Sequence, residues 1–232
     1  MSPALALVAG SLGSGCVVAQ QPVEVPRDAD AHVLLLSAAL PKPVSEVARH
    51  PWLAFRERGG RGHAAEWERY EVASSDPRPP LGTIRYNRME PLRDFAGGGG
   101  DVRVHGSWHG NDATEAIGCL RREVPRYPDR NIYRAWPGPN SNTFVDYMLR
   151  ECGLHADLPS PAIGKDYRGL VFGASFTSGG TGIQVETAIV GAKVGLTEGI
   201  EVHLFQMAWG IDFWPPALIV PLGPGRFGFD DR

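Results

Sequence analysis

A hydroxyl at the start of a helix is the first group in this chain whose position suggests chemistry. Residues 136–144 read Trp136-Pro137-Gly138-Pro139-Asn140-Ser141-Asn142-Thr143-Phe144. Two prolines and a glycine end one segment, three small polar residues follow, and a helix with one apolar stripe begins. Unpaired backbone N–H groups at a helix start attract negative charge and can hold an oxyanion. Ser141 is therefore either a cap or a nucleophile. A nucleophilic hydroxyl needs a base to take its proton, and His50, on a strand earlier in the chain, is the candidate. A third polar group usually orients such a histidine. Glu71, with Arg69 beside it, lies on the returning strand where a cross-strand partner of His50 would sit.

Other groups read more plainly. His105 and His109 lack a third ligand for a metal, and the Trp108-His109-Gly110-Asn111 stretch reads as a turn and helix entry. His63 falls in a glycine-containing hairpin tip and reads as exposed. Gly179-Gly180-Thr181-Gly182 lacks the Lys-Ser/Thr of a phosphate loop and reads as a hairpin turn. Lys165-Asp166 reads as a surface ion pair. Cys119 and Cys152 fall on the inner faces of two helices and read as buried thiols rather than a disulfide. No metal and no cofactor is expected.

The elements that must position these groups follow from periodicity. His32–Ala38 reads as a buried strand, and His50–Arg56 and Trp67–Ala73 as a hairpin with a long glycine-rich tip. Residues 74–100 read as surface loops around a short strand at 82–86. Residues 112–124 form a helix, with Asp112 and Glu115 at capping-box spacing and Pro125 as a stop. A second helix runs from about 142 to 152, its stripe made by Phe144, Val145, Met148, Leu149 and Cys152. After residue 168 the helical period disappears, and strands are expected near 183–190, 192–196, 200–207 and 216–221. The aromatic stretch at 204–221 reads as core strands rather than membrane contact.

The resulting fold class is α+β, an antiparallel sheet packed on two helices with a β-rich C-terminal section. Three regions are expected: a leader, anchor or disordered segment at 1–30, a core at 31–168 and the β-rich section at 169–232. The 232 residues, 43% hydrophobic and 21% charged, suit a folded core. Gly 29 and Pro 20 make up about a fifth of the chain, which favours turns and short strands. A net charge of -3 with no basic run argues against nucleic acid as a partner. Residues 3–19 are small and apolar but lack a preceding basic residue. Export or anchoring, with membrane association through the N-terminus, stands there against an unprocessed leader.

Five stretches together resemble a bacterial family catalogued as domain of unknown function 3750: His50–Trp52, Arg69–Val72, Trp136–Phe144, Ala162–Tyr167 and roughly Ser178–Gly228. The likeness covers most of 31–228 and implies no established activity. A second resemblance is mechanistic. In circularly permuted papain-like proteins, including permuted NlpC/P60 members, a strand histidine precedes a helix-start Asn-Cys-Asn-x-Phe type motif. Asn140-Ser141-Asn142-Thr143-Phe144 is similar, with serine where cysteine would stand. That likeness implies a permuted papain-like core with Ser141 as nucleophile, His50 as base and Glu71 as orienting group. Asn140, Asn142, Trp52 and Trp136 are the candidate binding residues. The activity would be a Ser/His hydrolase or acyltransferase acting on an amide or ester bond of cell-envelope material, with a small-molecule, peptide or lipid substrate. The alternative is a non-catalytic binding module, or an envelope-associated structural protein that has lost its active site.

Overall fold

The computed structural model of the chain describes residues 30–41, 48–59, 66–72, 76–93, 102–221 and 225–229. Residues 1–29 with Cys16, most of the expected hairpin tip with His63, and the glycines at 97–100 lie outside the described residues. The architecture is α+β, with two antiparallel sheets and two helices.

The first sheet is built from β1 (His32–Ala39), β2 (Arg49–Arg56), β3 (Glu68–Val72), β4 (Ile84–Tyr86) and β5 (Val102–His109), in the order β4-β3-β2-β1-β5. β1 is an interior strand, between β2 and β5, because its apolar run can be buried on both faces. It pairs with β2 from His32↔Arg56 to Ala39↔Arg49. β5, on the other side of β1, has no counterpart in the sequence reading. The pairing shifts register between Leu35 and Leu36, so the period-2 pattern of β5 breaks at His105-Gly106.

Helices α1 (Gly110–Glu123) and α2 (Ser141–Glu151) cover one face of this sheet. Ile117 and Leu120 from α1, and Phe144, Val145, Met148 and Leu149 from α2, share one core with Val33, Leu35, Leu53 and Phe55. α1 begins two residues before the expected start. Its cap position is His109, without a side-chain cap bond, so the anticipated Asp112–Glu115 box does not form the start.

The second sheet is a seven-stranded meander of β6 (Gly173–Phe176), β7 (Gly182–Glu186), β8 (Val190–Gly195), β9 (Gly199–Leu204), β10 (Met207–Asp212), β11 (Ala217–Ile219) and β12 (Arg226–Gly228). The strand expected at 200–207 is two strands. They are separated by Phe205 and Gln206, both at positive φ. The alternation within the sheet is inverted relative to a water-soluble sheet. One cross-strand row runs Phe176, Ile183, Val194, Ile200, Ile211, Leu218, Phe227, and every member is exposed. The neighbouring positions Gln184, Glu186, Lys193, Glu201 and His203 are buried.

Cys119 and Cys152 form a disulfide, where the sequence reading favoured two thiols. The α1 stripe and the end of α2 place their Cα atoms 5.6 Å apart, within bonding range. The two cysteines are 33 residues apart, and closing such a loop stabilises a fold by about 3–4 kcal/mol. Thiol titration of the unfolded, unreduced full chain should find one reactive group, Cys16. The Cys119→Ser/Cys152→Ser double variant should lose stability of that order in urea unfolding.

Candidate functional site

β2 and β3 bring His50 and Glu71 together. Alternation places Trp52 and Ala54 with Leu34, Leu36 and Ala38 in a small apolar cluster on one face, while Leu53 and Phe55 point at the helices. His50 has the same parity as Trp52. Its Nε2 lies 2.9 Å from Glu71 Oε2 and donates to it. Arg69 Nη2 donates to the same oxygen at 2.5 Å. The Arg69 guanidinium stacks 4.0 Å over Trp52 and donates to the carbonyls of Glu90 and Arg93. Trp52 Nε1 donates to the Pro91 carbonyl, so the chain at 90–93 closes the cluster from outside. Burial by itself would raise the Glu71 pKa. The His50 hydrogen bond and the Arg69 charge outweigh it and hold the carboxylate below its ordinary value. Arg69 and Trp52 are thus packing partners of the pair, and Trp52, fully buried, is not available to a ligand.

Ser141 lies elsewhere. The cap of α2 is Asn140, whose Oδ1 accepts from Asn142 N at 2.9 Å and Thr143 N at 3.2 Å, while Thr143 Oγ1 accepts from Asn140 N. This is a capping box written with Asn and Thr. The outer amides of the motif anchor it to a second piece of chain. Asn140 Nδ2 and Asn142 Nδ2 both donate to the Ile163 carbonyl, and Thr143 Oγ1 donates to the Gly164 carbonyl at 2.6 Å. Gly164 has φ +90, and a Cβ there would stand 2.4 Å from Asn140 Nδ2. Gly138, at φ +131, leaves room in the same way for the Tyr167 ring. Ser141 is buried, and its hydroxyl makes no hydrogen bond among the described residues. A cleft of about 150 Å³ beside the motif is lined by Tyr127, Thr143, Tyr147 and Tyr167 with Arg150 and Arg168, and contains neither Ser141 nor His50.

His50 is engaged by Glu71, and Ser141 sits in the first turn of α2. α2 packs on the face that carries Leu53 and Phe55, whereas the His50 ring turns to the opposite face, where Glu71 holds it. Asn140 and Asn142 serve as cap and anchor. Trp136 is half-exposed, and its Nε1 donates to the Phe205 carbonyl of the second sheet.

A third group of titratable side chains went unrecognised in the sequence. Lys165 and Asp166 form an ion pair, but a buried one, Nζ lying 2.8 Å from Oδ2. They meet the inner face of the second sheet. There Lys193 is paired with Glu201, and His203 Nδ1 lies 2.5 Å from Glu186 Oε1 with Nε2 3.3 Å from Glu201 Oε2. Glycines make the space. Gly191 stands opposite both Glu186 and His203, and a Cβ there would overlap the Glu186 carboxylate. Ligand atoms of Asp166, Glu186 and His203 lie within 4.8 Å of one another, a spacing that a metal could use. The chemistry of the group runs the other way. Burial would lower the His203 pKa, but Asp166, Glu186 and Glu201 raise it to about 9. Lys165 and Lys193 complete the charge balance, so the residues close on themselves as an ion network.

The profile of a family described as Protein of unknown function (DUF3750) matches residues 30–167, and the chain belongs to that family. The match covers the first sheet, both helices and the Ile163-Gly164 anchor, and ends before the second sheet. No curated protein and no solved structure matches the chain significantly.

Two outcomes follow. Gly164→Ala forces a side chain into a positive-φ position already filled by Asn140, and should lower unfolding stability by roughly 2 kcal/mol or more in urea melts. His203 has its pKa raised on folding. Its contribution is therefore complete below its unfolded value near 6.5 and is lost as the pH rises through about 9. Wild-type stability should fall across that window by on the order of 3 kcal/mol, and His203→Gln should flatten the slope.

Proposed function

We propose that the chain is a non-catalytic, envelope-associated module. It uses a permuted papain-like layout whose helix-start motif serves as a structural joint. The observation that carries this reading is that the helix-start motif is bonded into the α2 cap and the 163–164 segment, while Glu71 engages His50. A serine hydroxyl becomes nucleophilic only when a base lies within hydrogen-bond reach. A dipole at the helix start does not replace that base, because it activates a thiol far more readily than a hydroxyl. Asn140, Asn142 and Thr143 spend their polar groups on the α2 cap and on Ile163 and Gly164, as befits a joint between two pieces of chain. The Cys119–Cys152 disulfide supports an oxidising location outside the cytoplasm.

The competing reading, a Ser/His hydrolase or acyltransferase acting on envelope amides or esters, is favoured by one feature. The buried His50–Glu71 pair has the form of a base with its orienting carboxylate. A fluorophosphonate probe applied to wild type, Ser141→Ala and His50→Ala decides between them. Equal background labelling of all three is expected. Labelling of wild type that disappears in both variants overturns the proposal.

A further inference from the structure

The second sheet has the polarity of a surface that faces hydrocarbon. Between residues 170 and 229, every exposed described residue is apolar or glycine. The seven-strand row from Phe176 to Phe227 contains no polar side chain, and the adjoining exposed row includes Val185, Val202 and Trp209. Large aromatic side chains carry about 150–250 Å² each. Phe172, Phe176 and Trp214, at 68%, 76% and 73% exposure, therefore already match the few hundred Å² of apolar patch that soluble monomers show. The aliphatic rows come in addition.

The inner face explains why this arrangement is not a packing accident. Burying ions costs several kcal/mol each and is offset only when they are paired. A sheet meant for water would turn Ile183, Val194 and Ile200 inward and Lys193, Glu201 and His203 outward. Here the reverse holds, and the chain supplies Lys165 and Asp166 to neutralise the buried row. The turns follow the same rule. In the β8–β9 turn Leu196 is 82% exposed, while Glu198 is buried and accepts from the hydroxyls of Thr177, Thr181 and Thr197. In the β9–β10 turn Phe205 points out, while Gln206 is buried and donates to the Thr187 carbonyl.

We propose that the outer face of the β6–β12 sheet docks on a lipid bilayer and seats in the acyl region of one leaflet. Apolar residues alternating with inward polar ones are what a strand beside lipid requires. The turns select lipid over a second copy. A protein interface has a polar rim and about one hydrogen bond per 100–200 Å². This face has neither, and Leu196, Phe205, Phe213 and Trp214 carry its apolar character past the strand ends, where another flat sheet would not reach. The strands are only three to six residues long and the inner face is covered by the chain itself, so the sheet lies on the membrane rather than crossing it. Among the described residues no helix is long and apolar enough to cross.

This surface extends the envelope association proposed above and is independent of Ser141 reactivity, so the probe experiment and the following one can fail separately. Flotation of the full chain with uncharged phosphatidylcholine vesicles should recover it in the lipid fraction equally at 0.1 and 1 M NaCl. Ile200→Lys/Ile211→Lys should reduce the floated fraction at least tenfold with an unchanged melting curve. Tryptophan fluorescence of the wild type should be quenched by lipids brominated on the acyl chain, and Trp209→Phe/Trp214→Phe should lose most of that quenching. Three results would overturn the proposal: a stable dimer that ignores vesicles, flotation that depends on residues 1–20 and persists in the lysine variant, or no acyl-chain quenching.

Discussion

A strand cannot hide both of its faces with one kind of residue unless it is buried on both sides. In the C-terminal meander this constraint is resolved by sending charge inward. Lys193 and Glu201 face each other across β8 and β9, and His203 lies between Glu186 and Glu201. The segment at 165–166 brings one cation and one anion to the same place. Much else depends on that ion network. It fixes which face of the meander is outside, it ties the meander to the loop that anchors the α2 motif, and it explains the glycines opposite the larger charged side chains. Loss of one partner would leave an uncompensated charge in the interior, a far larger penalty than loss of an exposed ion pair.

The first sheet obeys the same geometry with ordinary polarity. Period-2 alternation divides β2 into a helix-facing set, Leu53 and Phe55, and a set facing the other way, His50, Trp52 and Ala54. The division sets the fate of the helix-start motif. His50 and Glu71 meet because their strands are neighbours and their parities agree. Ser141 opens α2, which packs on the other face. Arg69, stacked on Trp52 and bonded to Glu71, makes that cluster a closed piece of packing.

Much of the core was legible. The α2 stripe from Phe144 to Leu149, the β2–β3 return and the His50–Glu71 neighbourhood all follow from spacing. The cap of α2 was displaced by one residue, because Asn140 with Thr143 does the work usually written as Ser or Thr with Glu. β5 was hidden by its bulge, which breaks alternation at His105-Gly106. The disulfide was missed because apolar stripes place cysteines inside without saying whether their Cα atoms approach. The ion network shows a deeper limit. Alternation in Gly-Ile-Glu-Val-His-Leu at 199–204 identifies two faces but carries no sign, and the usual assumption that the apolar one faces the core was the wrong sign here. For the same reason, sequence alone presents Lys165-Asp166 as a surface pair.

The Cys119–Cys152 bond also has a topological meaning. It closes a covalent ring that contains the whole Trp136–Phe144 string and all of α2. A protease that cuts once inside this ring releases no fragment, since both new ends remain fastened through the sulfurs. The tryptophan that reaches Phe205 and the residues that grip Ile163 and Gly164 lie within it. The joint between the two sheets can therefore be nicked and still hold as one molecule, and the damage would become visible only after reduction.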